Sequence, residues 1–353
     1  MPTFVQYNRL FERSSRIRGL ASACRDGLSL MRDDTSSSAA IGVPCCSCLV
    51  YRVRNIGDMI QTLALTRLLP TATGVFRHAL ATAPSDRVLV VNGFLERDTL
   101  PRNGPSCLFA GVSGPYERHR HYIAWMERSP WPIGARDPVT ARRLASAALP
   151  TEMVGCATLT LPRYEGPRRG VFSVDVDGPG TPLTHDISRH DTVEKQWEAA
   201  ALLLRAYRTA EAVYTSRLHV ALPCLAFGTP VWIARPTAAP LPERFSIVDA
   251  IGVPFERLTV HDVTPFADRY KRFLATYLGF SAEASDPVMP RLVTADSLGP
   301  RERARFLFDD LRHSLRSARH GAAEWFRGAT ATGGAVVRPR HGGMSAPPRE
   351  QDA

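Results

Sequence analysis

The sequence predicts an α/β fold in which two Rossmann-like domains face each other across a cleft. Three observations predict it. Short apolar and β-branched runs alternate with helical stretches in both halves of the chain, the pattern of parallel sheets wound with helices. Polar or glycine-bearing turns follow those runs, at Asn55-Ile56-Gly57-Asp58, Asn92-Gly93 and Ser216-Arg217, where open α/β sheets bind ligands. The length, 353 residues, exceeds one small core and suits two domains with tails.

In chain order, residues 1–43 are expected to form an Arg- and Ser-rich arm, with a helical pattern over 11–31 broken by the Asp34-to-Ser38 run. An N-terminal domain is expected over 44–128, a C-terminal domain over 129–296, terminal helices over 297–328 and a disordered Gly/Pro/Arg-rich tail over 329–353. In the first domain, Cys46–Val53 reads as a strand, Asn55–Asp58 as a turn and Met59–Leu69 as a helix stopped by Pro70. Asp58 near that helix start serves either as a cap or as a site residue. Further strands are expected at 87–91 and 107–112. After the second of these, the cluster Arg118, His119, Arg120, His121 reads as a solvated loop in preference to a cleft lining that touches an acceptor sugar. Trp131–Ala135 is strand-like, and Pro138 opens an Ala-rich helix behind Arg136-Asp137.

In the second half, a strand is expected at 170–176 and an amphipathic helix at 192–206, ahead of the most informative stretch, Thr209 to Pro230. There Ala212–Thr215 reads as a buried strand end, Ser216-Arg217-Leu218-His219 as a polar insert, and Val220–Phe227 as a helix stopped by Gly228-Thr229-Pro230. Arg217 and His219 thus sit where a parallel strand hands over to a helix, whose free N–H groups and positive dipole end suit an anion. Pro223 is expected early enough in this helix for its missing N–H to be tolerated.

Composition narrows the function. The net charge is +10, carried almost wholly by arginine, since Lys195 and Lys271 are the only lysines. That excess favours an anionic donor, an anionic glycan or an anionic membrane surface. No aromatic-basic interleaving marks a nucleic-acid partner. Seven cysteines form neither a disulfide framework nor a complete metal set, and read as buried thiols in a reducing compartment. No run of about 18 apolar residues suggests a transmembrane helix.

Tyr214-Thr215-Ser216-Arg217-Leu218-His219, followed by Ala226-Phe227-Gly228-Thr229-Pro230-Val231, resembles the signature of the polysaccharide pyruvyl transferases. Asn55-Ile56-Gly57-Asp58 and Arg136-Asp137 with Thr140 match that family's pattern in the same order. The resemblance implies a GT-B-like architecture and transfer of the pyruvyl unit of phosphoenolpyruvate to a sugar as a cyclic ketal, with release of phosphate. A donor carrying phosphate and carboxylate needs sheltered cations, and Arg136 and Arg217 suit it. The enol carbon needs a proton, for which His219 is the candidate acid. Asp58 is a candidate base, and Asn55, Gly57, Ser216 and Leu218 are expected to bind substrate. The reading calls for no cofactor or metal. It expects a glycan or lipid-linked saccharide as acceptor, no nucleic acid, and a cytoplasmic location that allows peripheral contact with a membrane. Where the family often reads Asp-Pro-Thr, this chain has Cys156-Ala157-Thr158, so no acidic function is inferred there. The alternative class is a nucleotide-sugar glycosyltransferase on the same fold.

Overall fold

The apolar runs build two parallel sheets. The computed structural model describes residues 46–311 apart from 52–54, 70–71, 96–104, 115–119, 188–191, 237–240, 280–285, 288, 302, 305 and 309. Strands β1 (Cys46–Val50), β2 (Thr73–Phe76), β3 (Val88–Phe94), β4 (Cys107–Ser113), β5 (Ile133–Ala135) and β6 (Thr151–Met153) form the first sheet together with β11 (Arg291–Leu292), in the order β11-β2-β1-β3-β4-β5-β6. Strands β7 (Val171–Val174), β8 (Thr181–Leu183), β9 (Ala212–Thr215) and β10 (Val231–Ile233) form the second, in the order β10-β9-β7-β8. Within each sheet the second strand lies on one side of the first and the third on the other. This doubly wound order places a topological switch point between β1 and β3 in one sheet and between β7 and β9 in the other.

The helices are α1 (Gly57–Thr66), α2 (Arg120–Met126), α3 (Pro138–Ser146), α4 (Val193–Thr209), α5 (Leu218–Phe227), α6 (Leu241–Arg244), α7 (Ser246–Ile251) and α8 (Thr264–Leu278). All five residues of β1 are buried, Ser47 among them, so the strand does not alternate between apolar and polar side chains. Alternate residues still divide between two cores: Cys48 and Val50 join the larger apolar cluster, Leu49 and Tyr51 the smaller. The larger cluster continues through Met59, Ile60 and Leu63 of α1 to Val220 and Leu222 of α5 and on to Val213 and Val231 of the second sheet. The two sheets therefore share one core. Backbone pairing reinforces the join: Asn55 bridges Asp186, and the Ile56 N–H donates to the His185 carbonyl at 3.0 Å.

Residues 1–309 form one compact unit and 310–353 a second, in which only Asp310 and Leu311 are described. The expected N-terminal arm and disordered tail lie outside the described residues. Beyond residue 128, β5 pairs with β4 and β6 with β5, and both belong to the first sheet. Strands β2, β6, β8 and β11 were not anticipated; each is only two to four residues long, too short to show a period. Arg120 and His121 are exposed at the start of α2, while Arg118 and His119 lie outside the described residues. Cys46, Cys48, Cys107, Cys156 and Cys224 are buried. Burial pushes the Cys48 and Cys107 thiols up to about 12, so they are packing groups rather than nucleophiles.

Candidate functional site

The sequence between β9 and α5 places two side chains by local rules. Thr215 Oγ1 accepts the Arg217 N–H at 2.9 Å, which fixes the turn out of the strand. Arg217 is the extended N-cap residue of α5, and its carbonyl accepts from the Val220 and Ala221 N–H groups, both at 3.1 Å. His219 has φ −83° and ψ 16°, outside the helical values of its neighbours. The cause lies four residues on. Pro223 lacks the N–H that would bond the His219 carbonyl, and its ring crowds that carbonyl. Because α5 already begins at Leu218, Pro223 is interior rather than early as expected, and the local unwinding at His219 is the result. The helix ends at Gly228 in the left-handed conformation (φ 66°), and the Thr229 N–H returns to the Cys224 carbonyl at 2.8 Å.

The start of α1 meets His219. A Cβ built on Gly57 would lie 3.0 Å from His219 Nδ1, 3.1 Å from His219 Cβ and 3.1 Å from Asn55 Oδ1. Only glycine lets the backbone come so near without displacing the imidazole. The Gly57 N–H donates to Asn55 Oδ1 at 2.9 Å, so Asn55, Gly57 and His219 lie together. His219 is 6% exposed, and its Nε2 has no hydrogen-bond partner among the described residues. Burial first, and then the charges of Arg136 and Arg244, hold its proton affinity well below the ordinary histidine value. The imidazole is neutral in the unliganded protein at neutral pH.

Arg136 follows β5. Asp137 caps α3, its Oδ1 accepting the Thr140 N–H at 2.9 Å, with Pro138 in the first turn. The Arg136 side chain is 0% exposed. Its Nη2 donates to Ser113 Oγ at 2.6 Å, and its Nε lies 3.7 Å from Asp137 Oδ2. Nε and Nη1 have no hydrogen-bond partner among the described residues. Three buried N–H bonds of the cation, one on Nε and two on Nη1, therefore have no acceptor among the described residues.

Arg217 is differently placed. Its side chain is 34% exposed, and its Nε donates to Asp175 Oδ2 at 2.7 Å while Nη2 reaches Asp186 Oδ1 at 3.4 Å. Ser216 Oγ donates to the Asp175 carbonyl at 2.7 Å. Asp175, after β7, adopts a left-handed backbone (φ 52°). Burial alone would raise its carboxyl, but the Thr184 hydroxyl, the Arg217 guanidinium and the His185 N–H together hold it below the usual carboxylate range. Leu218 is buried in the larger apolar cluster. Asp58, in the first turn of α1, accepts from Gln61 Nε2 at 3.1 Å and lies 3.9 Å from Arg77 Nη1.

Several polar groups of this region were not singled out from the sequence. Gln61 Oε1 faces Cys156 Sγ at 3.8 Å, and Thr158 Oγ1 donates to that sulfur at 3.1 Å. Ser113 holds Arg136, and Arg244 stacks over the Phe94 ring at 4.7 Å. Ser113 could have been found as the first polar side chain after an apolar strand run. Gln61 and Arg244 carry no such signal.

A family model for polysaccharide pyruvyl transferases matches residues 55–234. No curated protein matches the chain. Among solved structures, a functionally uncharacterised protein from Klebsiella pneumoniae is 13% identical, with a TM-score of 0.41 over 58% of this chain and 88% of that one. A candidate UDP-N-acetylglucosamine 2-epimerase from Listeria monocytogenes is 12% identical, with a TM-score of 0.35 over 70% of this chain and 92% of that one.

Proposed function

Because the chain belongs to the polysaccharide pyruvyl transferase family, we propose that it transfers the pyruvyl unit of phosphoenolpyruvate to two hydroxyls of a glycan sugar, forming a ketal and releasing phosphate. Membership itself implies pyruvyl transfer in polysaccharide biosynthesis. The observation that carries the finer reading is Arg136: a fully buried guanidinium with two nitrogens, Nε and Nη1, that have no acceptor among the described residues, acting on the buried imidazole of His219. A buried cation short of partners is costly, and an anionic ligand removes that cost. The donor's carboxylate or phosphate is an acceptor of matching, two-pronged geometry.

The chemistry follows from the same pair. A bound anion offsets the charges of Arg136 and Arg244 that keep His219 unprotonated, so donor binding raises the imidazole's proton affinity. The imidazolium then delivers its proton to the donor's methylene carbon, and the adjoining carbon becomes electrophilic. One sugar hydroxyl adds to that carbon and loses its proton, with Asp58 as the acceptor of that proton. Phosphate departs, and the second hydroxyl adds and loses its proton to close the ketal. One proton is gained at carbon and two are lost from hydroxyls; the remaining proton leaves with phosphate or solvent. Arg217, engaged by Asp175 and Asp186, holds the start of α5 against the loops that follow β7 and β8, and adds positive charge behind the donor. The acceptor is a glycan or lipid-linked saccharide.

The test is release of inorganic phosphate from phosphoenolpyruvate across a glycan panel, with thermal stabilisation by the donor alone as the binding measurement. Stabilisation by millimolar phosphoenolpyruvate without added metal is expected. Stabilisation by nucleotide-sugars instead, with nucleotide release, would replace this reading with glycosyl transfer.

A further inference from the structure

Asn92 is a buried amide that no described residue engages. It lies near the end of β3, where Val88 and Val90 join the larger apolar cluster and Leu89 and Val91 the smaller. Asn92 is 1% exposed, and both Oδ1 and Nδ2 lack a hydrogen-bond partner among the described residues. Only its main chain is engaged, its carbonyl accepting from Tyr51 Oη at 2.6 Å. A buried amide with both ends unmet destabilises a protein, and an apolar residue of that size would not.

Its position is informative. Asn92 belongs to the β1/β3 switch point, the edge at which doubly wound sheets take ligands. The next residues, Gly93 and Phe94, pair with Val112 and Ser113, and Ser113 Oγ holds Arg136. On its other flank, a Cβ on Gly93 would lie 3.1 Å from Gln61 Nε2, the group that holds Asp58. Asn92 thus lies in the strand beside the one whose Ser113 holds Arg136, next in sequence to the glycine that Gln61 approaches.

We infer that Asn92 forms part of an acceptor subsite, in which Nδ2 donates to one sugar hydroxyl and Oδ1 accepts from its neighbour. A phosphate or carboxylate would satisfy Nδ2 alone and leave Oδ1 unmet, whereas a pair of hydroxyls satisfies both. This assignment rests on the pyruvyl-transfer reading above. It makes Asn92 a residue that selects the acceptor and not the donor.

The experiment compares wild type with Asn92→Leu. The probes are phosphoenolpyruvate, and then the methyl glycosides of galactose, glucose and mannose added on top of it. The unliganded variant is expected to melt about 2–4 °C higher than wild type, since the unmet amide is gone. Its stabilisation by phosphoenolpyruvate should persist. Stabilisation by the glycosides, or their transfer efficiency, should fall by about tenfold or more. A lower melting temperature in a folded variant assigns Asn92 a structural role and overturns the inference. Loss of the phosphoenolpyruvate effect moves Asn92 to the donor side and also overturns it, as does absence of any glycoside effect on wild type. Asn92→Ala adds no volume and serves if the leucine does not fold; undiminished glycoside protection there is equally fatal. Failure of phosphoenolpyruvate to stabilise wild type is a separate result, and it removes the pyruvyl-transfer reading itself.

Discussion

Acidification should unfold this protein through two histidines that the fold holds neutral, and His185 allows the effect to be worked out. The His185 imidazole is fully buried, with Nε2 2.8 Å from the Tyr207 hydroxyl and Nδ1 without a hydrogen-bond partner among the described residues. Burial lowers its proton affinity from the ordinary 6.5 to about 3, opposed by the Asp175 carboxylate and aided by a smaller contribution from Arg217. Between those values the unfolded chain binds a proton that the folded protein refuses. The stability is fully present above the unfolded value and is lost as pH falls through the window toward the folded one. Each unit of pH in that window costs about 1.4 kcal/mol per such proton. At about pH 5 the loss from His185 is therefore about 2 kcal/mol, a large part of the roughly 5–15 kcal/mol that holds a typical domain folded. His219 acts in the same direction. Asp175 is depressed too, but as a carboxylate its contribution is lost only at lower pH. The assay is urea unfolding of wild type and His185→Gln at a series of pH values; glutamine keeps a partner for Tyr207 and does not titrate. The stability of wild type should fall more steeply, by one proton's slope, and parallel pH dependences in the two proteins would refute the reasoning.

Other outcomes can be measured on the same preparation. Arg136→Lys keeps a charge but not the planar fork, and phosphoenolpyruvate affinity should fall by about tenfold or more, read as a reduced thermal shift. His219→Gln should lower turnover by about 10²–10⁴-fold with donor binding retained; normal turnover per folded molecule would make His219 a packing residue. Gly57→Ala removes no reactive group, yet its Cβ, 3.0 Å from His219 Nδ1, must displace the ring. A turnover loss of about 10–100-fold with donor affinity kept is expected, seen as a fall in kcat at constant donor KM. Arg217→Ala should cost about 1 kcal/mol in urea unfolding, because the guanidinium is partly exposed and the pair with Asp175 is screened.

The strands legible in the sequence were those with continuous apolar runs, and β9 was placed to the residue. Their ends were legible because a parallel sheet changes character abruptly at its carboxyl edge, from Ala-Val-Tyr-Thr to Ser-Arg within one step. Arg136, Gly57, Asn55 and His219 were read at such edges; in the structure Gly57 lies against His219 and Asn55, and the charge of Arg136 acts on His219. What stayed hidden depends on pairing between distant segments. Nothing in Arg217 announces that Asp175 and Asp186, 42 and 31 residues earlier, will take its guanidinium. Nothing in Thr151–Met153 says that it will extend the first sheet rather than start the second. The proline in α5 was visible, but its effect depends on where the helix begins, and helix starts without a side-chain cap, as here, leave little mark in sequence.

That proline has a consequence for donor affinity. A site whose acid must be pulled out of a regular helix when ligand arrives loses binding free energy to the rearrangement. In α5 the departure from helical geometry at His219 is imposed by the pyrrolidine ring of Pro223, four residues away and covalently fixed. The rearrangement is completed at folding, before any donor is present. The conformational entropy of placing the imidazole is then charged to the stability of the protein and not to the dissociation constant of its ligand.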